Sequence, residues 1–320
     1  MQQQYTLSKP FSLSGKGLHT GKSATLTLCP APQDTGIVFR RVDRGGDITI
    51  PARGEYVVST GRSTTLGKDG TTVHTVEHLL SALTGMGVDN ALVEIDGEEV
   101  PILDGSAAPF CEKISEVGLL QQGKERRYIE VPRPVEVKDP KTGSWVRVTP
   151  LKDSTKYEST IDFPSKVLSS STVYWDGGAS YERELSVCRT FVFFHEVEPL
   201  FKMGLIRGGD LDNAIVIMEH PVSQESLDGL AVEMGRPSLR VGKEGYLSNI
   251  DLHFPDECAR HKMMDLIGDM RLCGGFLRGH VQAYKPGHHI NTLLVGELLR
   301  ALAENKTVTE TNKQYTSYHG

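Results

Sequence analysis

A chain of 320 residues, 38% apolar and 24% charged, has the composition of an ordinary globular protein and is too long for one small core, so two domains are expected. Its 35 basic and 41 acidic residues leave a formal charge of −6, which excludes a broad basic footprint for a nucleic-acid backbone. The five cysteines, Cys29, Cys111, Cys188, Cys258 and Cys273, are odd in number, widely spaced and without a CxxC pair, which argues against a zinc knuckle or redox dithiol and for a reducing cytosol.

The segment MQQQYTLSKPFSLSGKG lacks the apolar stretch of a secretory leader, and no run reaches the roughly 18 apolar residues of a membrane span, so a cytoplasmic protein is expected. Short strands are predicted around residues 24–29, 36–40 and 91–96, and helices near 75–86 and 106–118. In TVEHLLSAL, Thr75 is placed to cap a helix whose first turn holds Glu77 and His78, both on the side away from Val76, Leu79 and Leu83. The polar run QQGKERR follows an apolar helix end and sets the expected boundary between a first domain, 1–123, and a second, 124–303.

The second half opens again on strands, RYIEVPRPVEV and SWVRVTP, and closes on helix, strand and helix over 256–303. In PDECARHKMMDLIGDMR, Asp256 and Glu257 in the first turn, Arg271 in the last and Gly274 and Gly275 beyond mark a helix start and stop. Turning about 100° per residue, that helix gathers Asp265, Cys258, Asp269 and Lys262 within about 100° of His261. Ala259, Met263, Met264, Leu266, Ile267 and Met270 take the other side, which is core. A His and an Asp one turn apart can reach one metal ion, and the same spacing serves an ion-paired surface. In AYKPGHHINTLL a strand ends at Tyr284 and a helix opens after Gly287, so His288 sits at a helix N-terminus, where a protonated imidazole needs a carboxylate such as Asp269. His78 and His261 are each followed by a glycine seven positions on, Gly85 and Gly268, a hint of internal duplication. The tail, 304–320, has no apolar period and is expected to be disordered or a linker. No GxxxxGK[ST] occurs, and GKGLHTGK has the wrong spacing for a phosphate loop, which argues against a phosphotransferase.

These three motifs, in this order and together with GLHTGK, VPILDGSAAPF and CRTFVF, closely resemble the bacterial UDP-3-O-acyl-N-acetylglucosamine deacetylases over roughly residues 5–303. The resemblance implies an α+β fold of two similar domains, each a sheet layered on helices, with the active site between the helical layers and sheets. It implies a zinc-dependent amide hydrolase that removes acetate from the 2-acetamido group of UDP-3-O-acyl-N-acetylglucosamine, the committed step of lipid A biosynthesis. His78, His261 and Asp265 become the ligands of one Zn2+ per chain, Glu77 the general base, and His288 with Asp269 a catalytic pair. Thr190 becomes an oxyanion contact, with Lys262 and Phe191 against the substrate.

The implied partner is a UDP-linked acylated amino sugar, with no nucleic acid, no stable membrane insertion and a monomeric state. The acyl chain is expected to lie in an apolar passage walled from within residues 191–217, where Gly208 and Gly209 let backbone approach closely. A binding protein that has lost its chemistry is the competing reading, and it gives no reason for a base, Glu77, beside the ligands. Ser63, in TGRSTTL, stands where some relatives carry cysteine, and the segment after Ala303 matches nothing in the family pattern, so no fused dehydratase domain of the kind some relatives carry is expected in it.

Overall fold

Strands β1 (Gln3–Leu7), β2 (Phe11–Lys16), β3 (Ser23–Pro30), β4 (Ile37–Arg41), β5 (Thr49–Pro51), β6 (Val57–Ser59), β7 (Thr65–Lys68) and β8 (Thr71–Val73) lead to helix α1 (Glu77–Gly85), strand β9 (Ala91–Ile95), helix α2 (Ala108–Val117) and strand β10 (Leu119–Glu125). The computed structural model describes residues 2–45, 48–178, 180–196, 211–233, 235 and 238–317. Alternation in β3 and β9 turns Ala24, Leu26, Leu28, Ala91, Val93 and Ile95 into the core, as half-buried strands require.

The second half supplies β11 (Tyr128–Glu130), β12 (Val135–Lys138), β13 (Trp145–Thr149), β14 (Thr155–Ile161), β15 (Ser171–Trp175), α3 (Tyr181–Glu184), β16 (Phe191–Phe193), β17 (Ile215–Ile217), α4 (Gln224–Glu233), α5 (Glu257–Met270), β18 (Phe276–Tyr284) and α6 (His288–Ser317). The first sheet runs β2, β3, β9, β4, β5 and the second β12, β13, β18, β14, β15, with β11 also on β18. In each, the central strand (β9 or β18) pairs antiparallel on one side and parallel on the other, and the outer pairs are antiparallel. A helix precedes each central strand, α1 in one half and α5 in the other. The fold is thus two similar α+β units, and the paired His-to-Gly spacing marks equivalent helices.

The two helices pack on one another. On α5 the apolar arc is fully buried, and so are His261, Asp265 and Asp269, because the opposite face is covered by α1 and α6 rather than water. Glu77 and His78 lie on the side of α1 expected to be away from the core, yet they too are buried, since α5 covers that side. The closest approach is at Gly268, where a Cβ would overlap the carbonyl oxygen of Glu77. Gly268→Ala is therefore expected to force the helices apart, costing about 1–3 kcal/mol and displacing the Glu77 backbone. Denaturant melts check this, and an unchanged midpoint would mean that the crossing has slack.

One local expectation is corrected, and two elements run across the expected limits of the domains. Thr75 does not cap α1: the helix starts behind Val76 with no side-chain cap, and Thr75 has φ 58°, outside the extended region that capping residues adopt. The boundary placed at 123/124 falls inside β10, which pairs with β1 as far as Glu125; the polar run reads as a linker because β10 is largely exposed. Finally, α6 runs on to Ser317 through the segment expected to be unstructured, since extending a formed helix avoids the cost of nucleating one.

Candidate metal centre and the residues around it

His78 from α1 and His261 and Asp265 from α5 converge so that one ligand atom of each lies within 4.8 Å of the others. Asp265 Oδ1 stands 3.4 Å from His78 Nε2 and 3.5 Å from His261 Nε2. It is buried and has no hydrogen-bond partner among the described residues. A buried carboxylate oxygen without a donor is costly, and a cation among these three atoms satisfies it. Asp265 Oδ2 accepts a hydrogen bond from Lys262 Nζ at 2.9 Å. Burial would raise the Asp265 carboxyl, but His261 and Lys262 hold it well below the ordinary range. Burial lowers His261 to about 3, so its ring is neutral, and Nδ1 donates its proton to the Cys188 carbonyl at 3.0 Å, leaving the Nε2 lone pair facing the cluster. Two imidazoles and a carboxylate arranged in this way fit a divalent metal ion.

Beside the cluster lies a chain of proton-bearing groups. Glu77 Oε1 faces His288 Nε2 at 3.7 Å, and Glu77 Oε2 accepts the Thr64 backbone N–H at 3.0 Å. His288 Nδ1 donates to Asp269 Oδ2 at 3.1 Å; that oxygen also accepts from Asn291 Nδ2 at 2.9 Å, while Oδ1 takes the Thr64 hydroxyl at 2.6 Å. Burial raises the Glu77 carboxyl, an effect that His288 and His78 oppose. Burial works against a charged His288, yet Glu77 and Asp269 outweigh it and lift the imidazole to about 9. At neutral pH His288 is therefore a buried cation beside a carboxylate of enhanced basicity.

The model of the UDP-3-O-acyl N-acetylglycosamine deacetylase family matches residues 4–236 and 236–300. The chain belongs to that family. It is 45% identical over 297 residues to the UDP-3-O-acyl-N-acetylglucosamine deacetylase of Myxococcus xanthus, covering 92% of this chain and 86% of that one. The deacetylase of Anaeromyxobacter dehalogenans is 41% identical over 311 residues, 97% of this chain and 92% of its own. A "Bifunctional enzyme LpxC/FabZ" of Porphyromonas gingivalis is 42% identical over 306 residues, and the match spans 96% of this chain but only 66% of that relative.

The family motifs left without a role by spacing alone now have places. Asp104 in VPILDGSAAPF accepts the Ser106 backbone N–H at 2.9 Å and its hydroxyl at 2.8 Å, and the Gly105 carbonyl accepts the Thr190 N–H at 2.8 Å. Gly105, at φ 86°, lies so close to the Asn213 backbone that no Cβ fits. The CRTF loop is fastened to the start of α5 by Arg189, whose backbone N–H and Nε reach Glu257 Oε1 at 3.0 and 2.9 Å. Phe191 meets the ring of His261 at 6.2 Å between centroids, and Lys262 Nζ lies 5.6 Å from the centre of the Phe191 ring. Burial opposes the Lys262 charge, but Asp265 holds its ammonium above the ordinary value.

Of the stretch 191–217 expected to wall an acyl passage, residues 197–210, including Gly208 and Gly209, lie outside the described residues. The remainder includes the parallel pair β16 and β17. Among the described residues no helix is long and apolar enough to cross a membrane. Sequence reasoning missed Thr64, Asn291 and the Cys188 carbonyl, none of which carries a spacing signal.

Proposed function

We propose that the chain is a cytoplasmic, monomeric zinc-dependent deacetylase that hydrolyses the 2-acetamido group of UDP-3-O-acyl-N-acetylglucosamine, as the committed step of lipid A biosynthesis. One observation carries this reading: the orphaned oxygen of Asp265 between two imidazoles, with the facing pair Glu77 and His288 beside it. Family membership and the names of the Myxococcus and Anaeromyxobacter relatives support the substrate class. Zinc accepts this donor set and retains an open position in catalytic sites. His78, His261 and Asp265 would hold it, and it would supply Lewis-acid charge for water and an amide carbonyl at neutral pH.

The chain's own residues manage the protons. Glu77 takes a proton from the attacking water at its carboxylate as the water oxygen bonds to the carbonyl carbon. Glu77 then passes that proton to the amide nitrogen, the C–N bond breaks, acetate departs and the sugar keeps a free amine. Cationic His288 Nε2 faces Glu77 and balances the charge of that exchange, and Asp269 keeps the imidazole oriented. Thr190 steadies the developing oxyanion, while Lys262 and Phe191 contact the substrate. Metal analysis beside acetate release from the UDP-linked substrate tests the reading: near-stoichiometric zinc with acetate release supports it, and zinc without acetate release leaves a binding protein.

The opposed protonation demands predict a bell-shaped profile of kcat/KM against pH. Glu77 must be ionised, so activity falls as pH drops through its raised pKa; His288 must be protonated, so activity falls as pH rises through about 9. The same shift makes the His288 contribution to folding stability fully present below about 6.5 and lost as pH rises through about 9. If metal-loaded His288→Ala retains the alkaline limb unchanged, His288 is not its source.

A further inference from the structure

Glu99 is a buried carboxylate, only 2% exposed, that the mechanism above does not use. Its Oε1 accepts the His19 backbone N–H at 3.0 Å and the Thr75 hydroxyl at 2.9 Å, and its Oε2 accepts the Thr20 N–H at 2.8 Å. Burial would raise its pKa, but these donors lower it, so it stays ionised and able to accept all of them. The two N–H groups belong to the GLHTGK turn, which closes on itself through Gly17 N–H to the Lys22 carbonyl and Gly21 N–H to the Gly17 carbonyl, both 2.9 Å. Gly17 lies so near the Glu99 carboxylate that a Cβ would overlap it.

Thr75 is the unusual member of this group. Its φ of 58° is left-handed, a conformation that a β-branched side chain strongly disfavours. Val76 follows, then Glu77 and His78, so the torsion at Thr75 sets the direction in which α1 enters the site. Strain of this kind persists only where the surroundings over-determine it. The Thr75 hydroxyl is the one side-chain handle by which Glu99 can hold that torsion.

We propose that Glu99 is a positioning residue: through the Thr75 hydroxyl it locks the left-handed turn that aims Glu77 and His78, and through His19 and Thr20 it anchors the GLHTGK turn against that same point. This rests on the ligand and base roles proposed above, and the test separates the two. Thr75→Val keeps the side-chain shape but not the hydroxyl, Thr75→Ser keeps the hydroxyl, and Thr75→Gly adopts positive φ without help. Each variant, with Glu99→Gln alone and combined with Thr75→Gly, is measured for zinc affinity by chelator competition and for kcat and KM separately.

Thr75→Val and Glu99→Gln should each lose about 10–100-fold in zinc affinity and in kcat, the range typical of residues that orient ligands, with KM little changed. Thr75→Ser and Thr75→Gly should retain most of both, and Glu99→Gln should cost markedly less in the Thr75→Gly background. Wild-type zinc affinity in Thr75→Val, or equal losses from Glu99→Gln in both backgrounds, overturns the proposal. Zinc affinity ordered in this way in a protein that releases no acetate would reject the deacetylase reading and leave the positioning role standing.

Discussion

Zinc should be lost from both His261→Ala and Asp265→Ala, and activity with it. Each substitution removes one of the three donors proposed among the described residues, and the remaining pair cannot fix a tetrahedral ion. The loss of affinity should exceed the roughly 10–100-fold that orienting residues contribute. Asp265→Ala carries a second penalty, because Lys262 loses the carboxylate that accepts from it at 2.9 Å and holds its charge. His261→Ala leaves the Cys188 carbonyl without its donor but breaks no charge pair, because the ring is neutral. Zinc per chain after dialysis, measured beside the wild type, checks both. Near-stoichiometric zinc of unchanged affinity in either variant would sink the ligand assignment.

How much of this was legible in the sequence follows from the range of the interactions involved. The ends and faces of α5 could be read because helix periodicity and terminal charges are local, and Glu257–Met270 lies within the range those signals mark. The strands at Ser23–Pro30, Ile37–Arg41 and Ala91–Ile95 were legible for the same reason. That α1 meets α5 was not, because no periodicity links His78 to His261, 183 positions further on (261 − 78); only the family resemblance brought them together. Thr64 was invisible as well. In TGRSTTL it reads as one more hydroxyl beside a strand, and its bond to Asp269 spans 205 positions. Thr75 misled because a threonine before an acidic first turn is the usual capping signal, while here its hydroxyl goes to Glu99. The two glycines seven positions after the histidines signal only a repeat in the sequence. Each proves to be a point of close approach, Gly85 against the Tyr181 ring and Gly268 against the Glu77 backbone.

Glu77→Ala should separate catalysis from metal binding, retaining zinc while losing on the order of 10²–10⁴ in kcat, the usual worth of a positioned general base. Zinc is retained because Glu77 contributes no ligand atom to the cluster of His78, His261 and Asp265. Glu77→Gln sharpens the test. Its amide oxygen can still accept the Thr64 N–H now bound to Oε2, so the side chain keeps its place, but it has no basic oxygen to take a proton. It also removes the charge that does most to lift His288 against the cost of burial. In the residual activity of Glu77→Gln the alkaline limb should therefore move to lower pH than about 9, which a base acting alone would not produce. A drop in kcat with KM and zinc content preserved, together with that displaced limb, assigns the two side chains to one coupled pair. Full activity in metal-loaded Glu77→Ala removes Glu77 from the mechanism, and an unmoved limb in Glu77→Gln uncouples His288 from it.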